Sequence, residues 1–309
     1  MSKKYPLAKE LKYLEHMSLI PNIYIYPFIN IFVGMIPCKS DEKVTVTKIK
    51  TPGYEGHKLS TLVIEPKGCS EKLPCIVFYH GGGIILKAMM AHYQFAKWYA
   101  EKAKCKVILP DYRLMPKYRF PYAAEDCYST YKWVLDNADE LNIEKSRIIV
   151  TGDSAGGYLS TAVSLMARDR NLILPVGVLL VYPVLDRHMD TDSMKKYTDT
   201  PVFNTKLAQM YWTEYLKTNS QEKMEYASPM EASSLADFPD TYVEVAEFDC
   251  LHDEGSNFAE RLKAEGVSVE LHEVKGACHG FEVALKSPMV KEALERRISF
   301  INRIVNKYD

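Results

Sequence analysis

The chain has 309 residues, of which 47% are hydrophobic, and its 39 basic and 40 acidic side chains give a formal net charge of −1. This length and hydrophobic content suit one large α/β domain or two smaller ones. Because neither sign of charge forms a long run, we expect no nucleic-acid partner and no electrostatic anchor to an anionic membrane.

The apolar stretch of residues 17–37 raises the question of a membrane segment. Pro21, Pro27 and Pro37 interrupt it, so we expect no transmembrane helix. No A-x-A cleavage site follows it, which argues against a secretory signal. We expect two amphipathic segments packed onto the protein, and a surface-lying membrane contact is the alternative.

From about residue 42 the chain alternates short apolar runs with helical patterns. Residues 44–46 and 59–64 alternate apolar and polar side chains, as an antiparallel strand pair does. Six further runs suit strands buried on both faces, at 75–79, 107–109, 148–150, 176–181, 242–245 and 267–274. Helical patterns lie near 91–104, 122–136, 155–168 and 253–265, and a last helix carries Leu294, Ile298, Ile301 and Val305 on one stripe. The sequence therefore predicts an α/β fold with a mostly parallel eight-stranded sheet and helices on both faces.

Two aromatic-rich stretches stand outside this alternation: residues 1–41 and about 186–226. Ligands of open α/β sheets bind at the carboxyl ends of the strands, and both stretches could pack there. We expect them to form a helical cap. The predicted division is an N-terminal cap segment at 1–41 and a catalytic domain at 42–309 that contains the cap insertion.

A run of three glycines follows a predicted strand in the sequence YHGGGII, residues 79–85. Glycines expose backbone N–H groups to a developing oxyanion, and we expect Gly82 and Gly83 to donate there together with the N–H of Ala155. No G-K-[ST] follows, so a phosphate-binding loop is not indicated. We interpret His80 as a structural brace of this loop.

The sequence RIIVTGDSAGGYLSTAV, residues 147–163, places a serine between a predicted strand and a predicted helix. Gly152 to Gly156 fit G-x-S-x-G, in which the tight turn exposes the central serine above the sheet. Ser154 is therefore the candidate nucleophile, and it needs a histidine and a carboxylate to become reactive.

His279 and Asp249 are the candidates for these two roles. His279 follows the last predicted strand, where a loop residue can reach a serine on a neighbouring strand. Asp249 is the first carboxylate clear of the preceding strand, and Asp253, at the start of the next helix, is the fallback. The chain order Ser…Asp…His is that of α/β hydrolases.

With these residues, the chain resembles the hormone-sensitive-lipase-like family of α/β-hydrolase carboxylesterases. The matching stretches are HGGG at 80–83, DYRLMP at 111–116, FPYAAED at 120–126, GDSAGG at 152–157, YP at 182–183, DCLHDEG at 249–255 and HGF at 279–281.

The resemblance implies a Ser154–His279–Asp249 triad and an oxyanion hole of Gly82, Gly83 and Ala155. His80, Gly81 and Asp153 support these groups within the same motifs. It also implies hydrolysis of short- and medium-chain acyl esters under a cap, with no cofactor and no metal. We interpret Asp111 and Arg113 as a buried structural pair.

The same catalytic residues could instead cleave an amide, such as an arylformamide, or remove an acetyl group. Ligand binding without turnover is a further alternative, which the presence of all three triad residues disfavours. The expected partner is a small-molecule ester, and the sequence is compatible with a homodimer. Seven cysteines without a CxxC pair or a zinc-like cluster indicate free thiols, so a cytoplasmic location is expected.

Overall fold

Eight strands form one sheet in the computed structural model, which describes residues 5–308; residues 1–4 of the expected cap segment lie outside this range. The strands are β1 Val44–Pro52, β2 Lys58–Pro66, β3 Leu73–Tyr79, β4 Lys106–Asp111, β5 Ile143–Asp153, β6 Gly177–Val181, β7 Asp240–Phe248 and β8 Val269–Cys278. Their order across the sheet is β1-β2-β4-β3-β5-β6-β7-β8. β2 runs antiparallel to both neighbours and the other pairs are parallel, which confirms the predicted mostly parallel sheet.

Helices cover both faces of this sheet, as predicted. They are α1 Tyr26–Val33, α2 Met90–Lys102, α3 Tyr122–Asp136, α4 Ala155–Asp169, α5 Asp192–Lys196, α6 Thr205–Tyr215, α7 His252–Ala264 and α8 Pro288–Val305. Alternate side chains of β3 enter different cores: Ile76 and Phe78 join the core that contains α2 and α8, whereas Val77 joins the core that contains α3, α4 and α7. Both faces of the central strands are therefore buried, which explains their continuous apolar runs.

The N-terminal segment, residues 5–43, packs on the protein only in part. Leu11, Leu14 and Ile23 are buried, as expected for amphipathic segments, but α1 turns most of its apolar side chains to solvent. Among the described residues, no helix has the length and hydropathy needed to cross a membrane.

The insertion segment, residues 182–239, connects β6 to β7 and contains α5 and α6. It is joined to the N-terminal segment by two backbone hydrogen bonds, Val202 N to Met17 O at 2.6 Å and Leu19 N to Val202 O at 3.2 Å. The two stretches that stood outside the strand–helix alternation are therefore in direct contact.

The predicted pair of Asp111 and Arg113 is wrong. Arg113 makes a two-pronged ion pair with the buried Asp126 on α3, with Nε–Oδ2 and Nη2–Oδ1 distances of 2.8 and 2.7 Å. Asp111 pairs instead with Lys87 at 3.2 Å. The guanidinium meets α3 because this helix packs against the loop that follows β4, a contact that sequence proximity does not reveal.

Candidate active site

Ser154 occupies the sharp turn between β5 and α4. Its backbone φ of 55° and ψ of −118° are unusual for a residue with a side chain. The turn brings Gly156 against β3, where a Cβ atom would lie 1.9 Å from the carbonyl oxygen of Tyr79. Only glycine fits at that position, and the turn that it permits holds the serine side chain above the end of the sheet.

Three of the predicted site residues lie in one hydrogen-bonded chain. Ser154 Oγ is 2.9 Å from His279 Nε2, and His279 Nδ1 is 2.7 Å from Asp249 Oδ2. Because an ionised carboxylate only accepts hydrogen bonds, this arrangement favours the imidazole tautomer with its proton on Nδ1. Nε2 is then free to accept a proton from the serine hydroxyl.

The strand ends explain this convergence. β5, β7 and β8 are parallel members of one sheet, and Ser154, Asp249 and His279 each directly follow one of these strands. Asp249 is fully buried and its Oδ1 accepts the N–H of Leu251 at 3.0 Å. The carboxylate is therefore fixed at both oxygens.

Asp253, the fallback carboxylate, has other partners. Its Oδ2 accepts the N–H of Ser193 at 2.7 Å, and its Oδ1 lies 2.8 Å from Nδ1 of the adjacent His252. It joins the first turn of α7 to α5 in the insertion segment. It makes no contact with His279 among those found in the described part of the chain.

The predicted oxyanion donors lie on the loop after β3. Gly82 and Gly83 have φ values of 103° and 62°, a region that favours glycine. Within residues 5–308, no acceptor takes a hydrogen bond from the N–H of either glycine. Ala155 is the first residue of α4, so its N–H has no intrahelical acceptor. All three donors are free to bind a negative oxygen.

Asp153 joins this loop to the serine turn. Its Oδ1 accepts the N–H of Gly81 at 3.0 Å, and its Oδ2 lies 3.2 Å from Nε2 of His92. Burial opposes ionisation of both side chains, but their mutual attraction outweighs it, so the pKa of His92 is raised and the pKa of Asp153 is lowered. Asp153 and His92 therefore form a buried hydrogen-bonded pair that joins the glycine loop, the serine turn and α2.

His80 packs beneath the loop. Its ring stacks on Tyr112 with centroids 4.4 Å apart, and its backbone carbonyl accepts the hydroxyl of Tyr112 at 2.6 Å. Burial, followed by repulsion from His92, lowers the pKa of His80 to about 4. The side chain is therefore neutral near pH 7, as suits a packing role.

Two aromatic rings hold the imidazole of His279. Tyr182 lies with its ring centroid 4.5 Å from that of His279, and Phe203 of the insertion segment lies 5.0 Å away. The hydroxyl of Tyr182 donates to the buried Glu282, which also pairs with the buried Arg297. Burial raises the pKa of Glu282. The histidine is thus confined by packing as well as by its two hydrogen bonds.

A largely apolar cavity opens at the serine. Both segments outside the strand–helix alternation contribute to its wall. Side chains in the wall include Leu19, Leu86, Val184, Val202, Phe203 and Tyr211. The cavity can take an apolar group attached to a carbonyl at Ser154. In the part of the chain that is described, no cluster of three or more His, Cys, Asp or Glu side chains is arranged to hold a metal ion.

Sequence reasoning missed His92, Phe203 and Glu282. Each reaches the site from a different element that is far from Ser154 in the sequence. His92 carried no local motif. Tyr182 belongs to the matching Tyr-Pro stretch, which was the one available signal for the packing around His279.

Comparisons with known proteins agree with this fold. Residues 76–283 match the sequence profile of a family of proteins with the α/β-hydrolase fold. The chain is 32% identical over 262 residues to the carboxylesterase NlhH of Mycobacterium tuberculosis, covering 83% of this chain and 82% of that protein. It is 28% identical over 251 residues to the ethyl acetate hydrolase of Pseudomonas putida, covering 80% and 79%.

A solved structure named bacterial heroin esterase superposes with a TM-score of 0.87 at 29% identity. The match covers 97% of this chain and 98% of that one. The similarity therefore extends over nearly the whole of both chains, including the segments outside the alternating core.

Proposed function

The chain belongs to the hormone-sensitive-lipase-like family of α/β hydrolases and is a carboxylic ester hydrolase, and we propose that it cleaves short- to medium-chain acyl esters through Ser154, His279 and Asp249. The observation that carries this proposal is the continuous chain of hydrogen bonds from Ser154 Oγ through the imidazole to Asp249. A hydroxyl paired with an oriented imidazole is the arrangement that acyl transfer requires.

In the first half of the reaction, Ser154 Oγ attacks the ester carbonyl carbon and its proton passes to His279 Nε2. The buried Asp249 stabilises the imidazolium that forms. The carbonyl oxygen becomes an oxyanion, which accepts hydrogen bonds from the N–H groups of Gly82, Gly83 and Ala155. One such donor is worth about 3 kcal/mol of transition-state stabilisation.

The tetrahedral intermediate then collapses. Its carbon–oxygen bond to the alcohol breaks, and His279 returns the proton to the departing alcohol oxygen, leaving the acyl group on Ser154. In the second half, water attacks the acyl carbon while His279 takes its proton. A second collapse releases the carboxylic acid and restores the serine hydroxyl, so neither a cofactor nor a metal is required.

We propose that residues 1–41 and about 186–226 act as the cap of this enzyme. Leu19 of the first stretch and Phe203 of the second line the cavity at Ser154. The backbone hydrogen bonds of Val202 with Met17 and Leu19 support the action of the two stretches as one unit. A cap of this kind limits the length of the acyl chain.

The substrate is proposed to be a small-molecule ester with an acyl chain of about two to six carbons. The apolar wall of the cavity supports an apolar acyl group. Two similar proteins carry ester substrates in their names, ethyl acetate and heroin. A cytoplasmic location and a homodimer remain predictions from the sequence.

The test is hydrolysis of p-nitrophenyl acetate, butyrate, octanoate and palmitate by the wild type and by Ser154→Ala. We expect the wild-type rate to peak at the short esters and to fall by about 10⁴-fold or more in the variant. Ser164→Ala is the matched control, because Ser164 is a buried serine of α4 that hydrogen-bonds to Ser160 O.

Equal rates in wild type and Ser154→Ala would overturn the mechanism. A folded wild type that hydrolyses none of these esters but cleaves an arylformamide would favour the amidase alternative. A maximum at palmitate would contradict the proposed role of the cap.

A further inference from the structure

Helix α1 buries Tyr26 and Asn30 and leaves most of its apolar side chains exposed. Amphipathic helices normally bury their apolar stripe and expose their polar residues. In α1, however, Phe28, Ile31 and Phe32 are 67%, 61% and 71% exposed, whereas Asn30 is only 9% exposed. Asn30 is therefore buried for a reason other than hydrophobic packing.

The Asn30 side chain satisfies both of its polar groups on the loop that follows the three glycines. Its Nδ2 donates to the carbonyl oxygen of Ile85 at 2.7 Å, and its Oδ1 accepts the N–H of Lys87 at 2.9 Å. These partners lie 55 and 57 residues away along the chain. The amide therefore holds the loop at two points, and we call this pair of hydrogen bonds, to Ile85 and Lys87, the clamp.

The clamped residues and the oxyanion donors belong to one hydrogen-bonded turn. The carbonyl oxygen of Gly82 accepts the N–H of Ile85 at 3.1 Å and the N–H of Leu86 at 3.0 Å. The carbonyl oxygen of Gly82 lies in the same peptide plane as the N–H of Gly83, so a shift of Ile85 rotates that N–H. These glycines, at positive φ, have no side chains to resist that rotation.

We propose that Asn30 is a positioning residue that holds the oxyanion hole in its working geometry. The inference rests on the proposed function, since it requires Gly82 and Gly83 to be the oxyanion donors. An oxyanion exists in the transition state and not in the bound ester. Loss of the clamp therefore lowers kcat and leaves KM nearly unchanged.

The experiment compares Asn30→Leu, which removes both hydrogen bonds at similar volume, with Asn30→Asp, which keeps the acceptor for Lys87 N. We expect kcat for p-nitrophenyl butyrate to fall by about 10- to 100-fold in Asn30→Leu. A comparable fall is expected in Asn30→Asp, because its second carboxylate oxygen would face the carbonyl oxygen of Ile85. Affinity for a trifluoromethyl ketone, whose adduct with the serine carries an oxyanion, falls by the same factor as kcat/KM. Inhibition by butyramide, whose neutral carbonyl carries no oxyanion, stays within about twofold.

Asn22→Ala is the matched control. Asn22 lies in the same segment and accepts the N–H of Tyr24 at 3.0 Å, without contact to the glycine loop. We expect it to lower the unfolding temperature of the segment while leaving kcat intact. If the role of Asn30 were merely structural, Asn30→Leu would behave as Asn22→Ala does, with a lower unfolding temperature and an unchanged kcat.

The inference is overturned if Asn30→Leu keeps kcat within twofold of the wild type, or if KM and butyramide inhibition change as much as kcat. If Asn30→Leu does not fold, Asn30→Asp decides by the same criteria. If Ser154→Ala hydrolyses the ester as fast as the wild type, the proposed function itself is refuted. If hydrolysis depends on Ser154 but the Asn30 variants are unaffected, only the role of Asn30 is refuted.

Discussion

His80 illustrates how burial of one titratable side chain couples the catalytic loop to pH. Its pKa is lowered to about 4, chiefly by burial, whereas an unfolded chain has a histidine pKa near about 6.5. Between these values the unfolded state binds a proton that the folded state does not. The stability that depends on neutral His80 is therefore complete above pH about 6.5 and is lost as the pH falls toward about 4.

We therefore predict that the free energy of unfolding of the wild type falls more steeply below pH 6.5 than that of His80→Gln. The difference in slope is at most about 1.4 kcal/mol per pH unit, the value for one proton. Urea unfolding at intervals between pH 7.5 and 4.5 measures it. His57→Gln, at an exposed position in the turn before β2, is expected to keep the wild-type slope. Identical slopes for wild type and His80→Gln would contradict the prediction.

At the scale of elements, a buried ion pair joins α3 to the antiparallel hairpin. Asp126 of α3 accepts two side-chain hydrogen bonds from Arg113 and also the N–H of Tyr54 in the hairpin turn. Arg113 donates in addition to the carbonyl oxygen of Tyr54. One carboxylate thus fixes the helix, the loop after β4 and the turn between β1 and β2.

Removing one member of this pair leaves the other charge buried. We predict that Asp126→Asn lowers the free energy of unfolding by about 3–5 kcal/mol. Asp126→Leu combined with Arg113→Met is expected to lower it by less than the sum of the two single changes. Asp136→Asn is the control, because Asp136 lies on the same helix in an exposed pair with Lys132. Such a pair contributes at most about 1 kcal/mol to the free energy of unfolding. An effect of Asp126→Asn as small as that of the control would refute the prediction.

Hydrophobic periodicity predicted the type and order of the strands and helices of the sheet, because each element buries its own regular pattern. The ends of the strands were less predictable. β5 begins at Ile143 and includes the polar residues 144–147, and β8 continues through Gly276 to Cys278. In both cases an irregularity interrupts the strand pairing, which is present again beyond the apolar run, between Ile143 and Leu73 and between Cys278 and Phe248. The burial of Asn30 on α1 was not predictable either, since its side chain pairs with a loop 55 and 57 residues away.

At the scale of the whole molecule, the candidate site was predictable wherever its residues follow strands. Ser154, Asp249 and His279 lie at the carboxyl ends of three parallel strands, so their chain order and local motifs sufficed to select them. Asn30 and His92 reach the same site from elements that no motif connects to it. Their contacts exist only after the N-terminal segment and α2 have packed, and a single sequence contains no local sign of that packing.

Ser154 is the proposed nucleophile of this ester hydrolase, and covalent labelling identifies the residue that reacts. The wild type, treated with a fluorophosphonate and analysed by intact mass and peptide mapping, is predicted to gain one adduct, on Ser154, in step with the loss of esterase activity. Ser154→Ala is predicted to gain none. An adduct on another residue that accounts for the lost activity, or full hydrolysis of p-nitrophenyl butyrate by Ser154→Ala, would contradict the account.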